Sequence, residues 1–150
     1  MIEERLQELG IELPPAAAPV ASYVPVKRGP GIAFVSGQVP MEDGAPIVTG
    51  KLGAEVALER GVELARRCAL QALAALRDEL GSLDAVKQVL RVGIFVASAP
   101  DFTDQPKVGN GASDLLVEVF GEAGKHARAA VGCPSLPLDV PVEVELTVEI

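Results

Sequence analysis

From Val140 to Ile150 the chain alternates strictly between apolar and polar positions. Val140, Val142, Val144, Leu146, Val148 and Ile150 fall on one face, and Glu143, Glu145, Thr147 and Glu149 on the other, because strand side chains alternate with period two. The pattern predicts a strand with one face in a core. Between about Ala54 and Leu80 the period changes: Leu58, Val62, Ala65, Ala69, Leu73, Leu76 and Leu80 recur every three or four residues as one apolar stripe. That is a helix of roughly 40 Å, long enough to cover a sheet, and Gly81 ends it.

The remaining elements follow from shorter signals. Residues 2–9 read as a helix stopped by Gly10, and Pro14–Pro19 as a Pro/Ala linker. Tyr23–Lys27 and Ile32–Ser36 read as a hairpin about the turn Arg28–Gly31. Gly37–Pro40 then leaves the sheet, and Met41–Lys51 is a loop. Val86–Ala97 is apolar on both sides and predicts a central strand. Ser98–Gly109 reads as a polar loop, and Asn110 as the N-cap of a second helix ending near Phe120. That helix would bury Ala112, Leu115, Leu116, Val119 and Phe120. Ala127–Val131 adds a short strand. The order implies one α+β domain over residues 1–150, with a mixed sheet, two main helices on one face and an N-terminal extension over 1–20. The other sheet face needs cover, for which a second copy of the chain is the simplest source.

Composition narrows the function classes. The chain has 150 residues, no Trp, one Tyr and four Phe, so its core is aliphatic. A net charge of −8, with no run of Lys or Arg, argues against nucleic-acid binding. No apolar run matches a membrane span, and the charged start MIEERLQELG lacks the apolar stretch of a signal peptide, so a cytoplasmic location away from membranes is the default expectation. Cys68 and Cys133 lack a CxxC spacing, and with one histidine a protein metal site is not expected. Cys68 reads as a buried small hydrophobe.

Arg128 stands among small and apolar residues ahead of the glutamate-bearing strand. It offers a planar fork for a carboxylate, or else it pairs with Glu143 or Glu145 to pin two strands. Like charges along one strand face repel unless a cation sits among them, which suggests Arg128 near by. Tyr23 reads equally as a sheet residue with a wet hydroxyl, and Asn110 as a helix cap. Asp101 and Asp104 are explained by turn chemistry. Ser36 has no histidine partner for nucleophilic work. His126 reads as a surface or interface residue.

SGQVP at Ser36–Pro40, a strand–loop–Asn–helix about Asn110, and Arg128 followed by an LP loop and VPVEVE resemble the RidA/YjgF family, also called endoribonuclease L-PSP. The similarity runs from Tyr23 onward, and the N-terminal segment and longer DFTDQPKVG loop resemble its longer, less-characterised branch. The resemblance implies a chorismate-mutase-like fold, a homotrimer with clefts between subunits, and hydrolysis of reactive 2-imino or enamine acids to 2-keto acids and ammonia without a cofactor. It places the carboxylate-binding arginine on Arg128 and the water-positioning glutamate on Glu143. Further cleft residues fall on Tyr23, Ser36, Gly37 and Asn110, with backbone groups near Ala130 and Gly37 contacting the small carboxylate substrate. Ala130 stands where archetypal members often have cysteine, and the Asn110-to-Arg128 spacing is slightly longer. A non-catalytic carboxylate binder of the same fold is the alternative; a ribonuclease fits least, given the acidic charge and the single histidine.

Overall fold

The computed structural model describes residues 1–18 and 21–150, so Pro19, the end of the expected linker, lies outside the described residues, as does Val20. In chain order the elements are α1 (Ile2–Glu8), β1 (Val26–Gly29), β2 (Ile32–Gln38), β3 (Met41–Glu42), β4 (Ala45–Pro46), α2 (Leu58–Leu80), β5 (Gln88–Ala97), α3 (Gln105–Phe120), β6 (Ala127–Cys133) and β7 (Val142–Glu149). Five strands form one sheet in the order β1-β2-β7-β5-β6, and β3 pairs with β4 in a small hairpin. The neighbours are antiparallel except β5 and β6. A parallel pair needs a crossover, and α3 supplies it. The fold is α+β with a mixed sheet, and α2 and α3 lie on one face as the sequence predicts.

The alternation in β7 is realised in full. Val142, Val144, Leu146 and Val148 are buried, while Glu143, Glu145, Thr147 and Glu149 are half-buried on the opposite face. The α2 stripe is also present, but wider. Leu64, Cys68, Ala72 and Ala75 are buried beside it because α2 meets the sheet on one side and α3 on the other. At 1.5 Å per residue α2 spans about 35 Å. Gly81 ends it at φ 83°, a left-handed cap that suits glycine.

Four expected boundaries shift, each for a local reason. The start of α2 moves from Ala54 to Leu58 because Leu52 N–H donates to the Ala97 carbonyl (2.8 Å) and Val56 N–H to Lys51 O (3.0 Å), latching this loop onto the end of β5. The hairpin begins at Val26, so Tyr23 lies ahead of the strand and is exposed. β2 does not leave the sheet at Gly37. A bulge between Val35 and Gln38 absorbs the extra residue and pairing resumes at Gln38 with Val144. Cys133 closes β6 rather than lying on the following loop.

A fifth correction concerns Asn110. It is not an N-cap, because α3 begins five residues earlier, after Asp104. Pro106 sits in the first turn, where a missing N–H costs nothing. Asn110 therefore occupies the second turn and projects from a formed helix. The expected N-terminal helix is present as α1. Its Glu3 Oε1 accepts from Leu83 N–H (2.9 Å), Ile2 N–H donates to Asp84 Oδ1 (2.6 Å), and Leu6 is buried. Among the described residues no helix is long and apolar enough to cross a membrane.

Candidate functional site

The parity of the strands decides which candidate residues meet. On β5, Val92, Ile94 and Val96 are fully buried toward the helices. Val92 is the register partner of Arg128, and Phe95 that of Glu143. Partnered residues share a face, and Val92 and Phe95 lie on opposite faces. Arg128 therefore points to the helical side and Glu143 to the open side. The ion pair between them that the sequence allows is not formed. The cation among the glutamates is Arg91, whose Nη1 lies 3.2 Å from Glu145 Oε1.

Arg128 sits on β6, an edge strand of the sheet, against α3. Its Nη1 donates to Asn110 Oδ1 (2.9 Å) and to Ser113 Oγ (3.1 Å), and its Nη2 donates to the Pro106 carbonyl (3.3 Å). Asn110 and Ser113 are three residues apart and so share one helix face. All three partners are neutral, and no carboxylate lies within ion-pair distance of Arg128 among the described residues. Both Nη1 hydrogens and one on Nη2 are committed. The Nε–H and the other Nη2 hydrogen have no partner among the described residues. Nε and Nη2 share the edge of the guanidinium that takes a carboxylate in two parallel bonds. Ala130, two residues along β6 on the same side, packs against the core.

The second group lies around the β2 bulge. Ser36 Oγ donates to Val24 O (2.6 Å) and Ser36 N–H to Pro25 O (2.8 Å), which ties the Tyr23 segment to β2. Tyr23 and Gly37 line one cavity with Gln38, Met41 and Gln71. Gln71 fixes that cavity's wall, accepting from Met41 N–H (3.0 Å) and donating to Val39 O (2.7 Å). A methyl group on Gly37 would overlap the Glu143 carboxylate, so glycine is what lets Glu143 lie over the bulge. Tyr23, Ser36, Gly37 and Glu143 thus form one cluster, and Arg128 with Asn110 another. Within one chain the sheet lies between Arg128 and Glu143.

Burial pushes the Glu143 carboxyl above its ordinary range, and the neighbouring Glu145 charge adds to the rise. A raised carboxylate holds its proton longer when folded than when unfolded, so the native state binds more protons above the unfolded value. Stability therefore falls as pH rises through that window, and is unaffected by this group below it. Glu143→Gln removes the cost. Urea-unfolding midpoints are expected to favour the variant at pH 7 and to coincide with wild type near pH 4; a variant less stable at pH 7 would contradict the assigned burial.

Other candidates are placed elsewhere. Cys68 is fully buried on α2, as expected, and burial holds its thiol far above the range where a thiolate forms. Asp104 precedes α3 and Asp101 is exposed on the loop before it. Two contributors escape sequence reasoning. Ser113 and His126 stand directly behind Arg128, with Ser113 Oγ 2.8 Å from His126 Nε2. They are thirteen residues apart, across a helix end and a turn, and no local signal links them.

The family model described as "YjgF/chorismate_mutase-like, putative endoribonuclease" matches residues 3–150. The chain belongs to this YjgF family. Protein TCP17 of Trypanosoma cruzi is 47% identical over 150 residues, covering 99% of this chain and 94% of its own. The crystal structure of Atu1372 from Agrobacterium tumefaciens, a protein of unknown function, superposes with a TM-score of 0.90 at 45% identity, covering 99% of this chain and 92% of that one. A Shewanella oneidensis MR-1 protein described as a "putative endoribonuclease" gives a TM-score of 0.95 at 35% identity, covering 100% and 99% of the two chains. This YjgF chain therefore matches those relatives over nearly its whole extent, N-terminal segment included, and shares the fold of the two solved ones.

Proposed function

We propose that the chain hydrolyses small 2-imino or enamine acids to 2-keto acids and ammonia, in a cleft completed by a second copy of itself. The observation that carries this is Arg128: a guanidinium at a sheet edge whose partners are neutral and which, among the described residues, keeps a free Nε–H and one Nη2 hydrogen to spare. Membership of the YjgF family supports it. Escherichia coli TdcF, which shares the fold at 20% identity, is described with bound serine, a molecule carrying one carboxylate.

The chemistry asks little of the protein. Arg128 would hold the substrate carboxylate and orient the C=N carbon, which is already electrophilic. Glu143 of a neighbouring copy would accept a proton from water as its oxygen bonds to that carbon and the C=N π pair moves to nitrogen. Glu143 returns that proton to the nitrogen, giving the neutral carbinolamine, whose hydroxyl proton then passes through the freed carboxylate to the amine. The C–N bond breaks, the C=O bond forms, and ammonia leaves. A carboxyl raised by burial is a stronger base than a solvated one, which suits it to this step. The open face, where Phe34 and Val131 are exposed beside Arg91 and Glu145, supports a homo-oligomer, a trimer in this reading.

The test is to generate 2-aminoacrylate enzymatically and follow pyruvate formation with and without the protein. Acceleration above the spontaneous rate is expected; an unchanged rate across 2-aminoacrylate and larger imino acids would refute the hydrolase. One observation favours a second reading: among the described residues no carboxylate lies within ion-pair distance of Arg128 to act as the base, as a binding site would have it. Pyruvate raising the melting temperature of the wild type without any turnover would establish that reading instead.

A further inference from the structure

The side chains behind Arg128 form a directional chain of hydrogen bonds. His126 Nδ1 lies 2.6 Å from the Gly124 carbonyl oxygen. A carbonyl only accepts, so Nδ1 carries the proton. That carbonyl is itself fixed, since Gly124 is buried so tightly against α3 that a methyl group there would overlap the Leu116 carbonyl. With Nδ1 as the protonated nitrogen of the ring, Nε2 is bare and lies 2.8 Å from Ser113 Oγ. The Ser113 hydroxyl must donate to it. Its lone pairs are left facing Arg128 Nη1 at 3.1 Å. In a helix interior a serine hydroxyl otherwise turns back to the carbonyl one turn earlier; here His126 claims that proton.

We propose that Ser113 and His126 are positioning residues that lock the Arg128 guanidinium with its Nε–Nη2 edge presented, and so set how tightly the site holds a small carboxylate. Asn110 takes one Nη1 hydrogen and Ser113 the other, so the fork can neither rotate nor turn Nη1 toward the ligand. His126 acts only through Ser113. The inference rests on Arg128 being the carboxylate anchor.

His126 is the one histidine of the chain, so its ring nitrogens can be read by 15N NMR without ambiguity. The expected spectrum has a protonated Nδ1 and a bare Nε2. Ser113→Ala is expected to move the Nε2 signal. Binding is followed by calorimetry with pyruvate. His126→Phe keeps the ring but offers Ser113 no acceptor, and should weaken pyruvate roughly fivefold. His126→Gln keeps an acceptor oxygen near the Nε2 position and should restore most of the affinity. Melting temperatures of both variants control for folding. An Nε2-protonated ring would overturn the relay whatever the ligand result. So would wild-type affinity in His126→Phe while Arg128→Ala loses pyruvate. Equal pyruvate binding by wild type and Arg128→Ala would instead remove the anchor, and with it the proposed function.

Discussion

Arg128→Ala is expected to lower kcat/KM for 2-aminoacrylate by about a hundredfold or more, while leaving the protein folded. The size follows from what is lost: two charge-assisted bonds to a carboxylate, each about 1.5–3 kcal/mol. The stability effect should be small by comparison. The bonds from Arg128 to Asn110, Ser113 and Pro106 end on neutral, partly solvated groups, so the melting temperature should fall by about 2–4 °C or less. Arg128→Lys should recover only part of the activity, since an ammonium keeps the charge and loses the fork. Steady-state kinetics beside thermal unfolding separates the cases. Wild-type kcat/KM in the alanine variant would end the case for Arg128 as anchor. Lost activity with a collapsed melting temperature would make it a strand pin.

The second large effect concerns packing. A methyl group on Gly111 would overlap the Val62 carbonyl oxygen of α2, with the Val62 carbonyl carbon at 2.9 Å and the Arg66 nitrogen at 3.2 Å. These are backbone atoms inside a helix and cannot swing aside, so α2 and α3 must separate. Gly111→Ala is expected to destabilise by about 3 kcal/mol from overpacking, offset by about 1 kcal/mol of better helix propensity. The melting temperature should drop by roughly 4–8 °C. Asp114→Ala, on the exposed side of the same helix, should stay near wild type. Circular dichroism melts decide it; an unshifted Gly111→Ala would mean that the helices do not meet there. Because α3 carries Asn110 and Ser113, activity should fall with stability.

How far the sequence could be read varies by element. The β7 alternation and the α2 stripe were legible because each repeats over many residues against one buried surface. The start of α3 was not. Gly109 and Gly111 look like loop punctuation, yet both are helical, Gly109 against Ile94 and Arg128 and Gly111 against α2. Their reason is tertiary, so no local pattern records it. The site shows the same limit. Alternation sorts Glu143 from Val144 with certainty, but it cannot say whether Arg128 shares the glutamates' face. That depends on the register of β6 on β5 and of β5 on β7. Arg91, the cation that does sit among the acids, was hidden in the same way. The motif resemblance named the candidate residues, but the strand register is what shows that Arg128 and Glu143 lie on opposite faces of the sheet.

The place of β7 in the sheet has a consequence for the route by which the chain folds. β7 is the most C-terminal strand, yet it lies in the middle of the sheet, between the β1–β2 hairpin and the β5–β6 pair. Neither half touches the other in the ladder except through it. During synthesis the ribosome can release the β1–β2 hairpin, three helices and a parallel pair, but no continuous five-stranded sheet until Val142–Glu149 has emerged. Until then Ala33, Val35, Val92 and Ile94 belong to strands with an unpaired edge, the state in which strands find partners in other chains. Keystone strands of this kind make folding wait for contacts distant in sequence, which slows it.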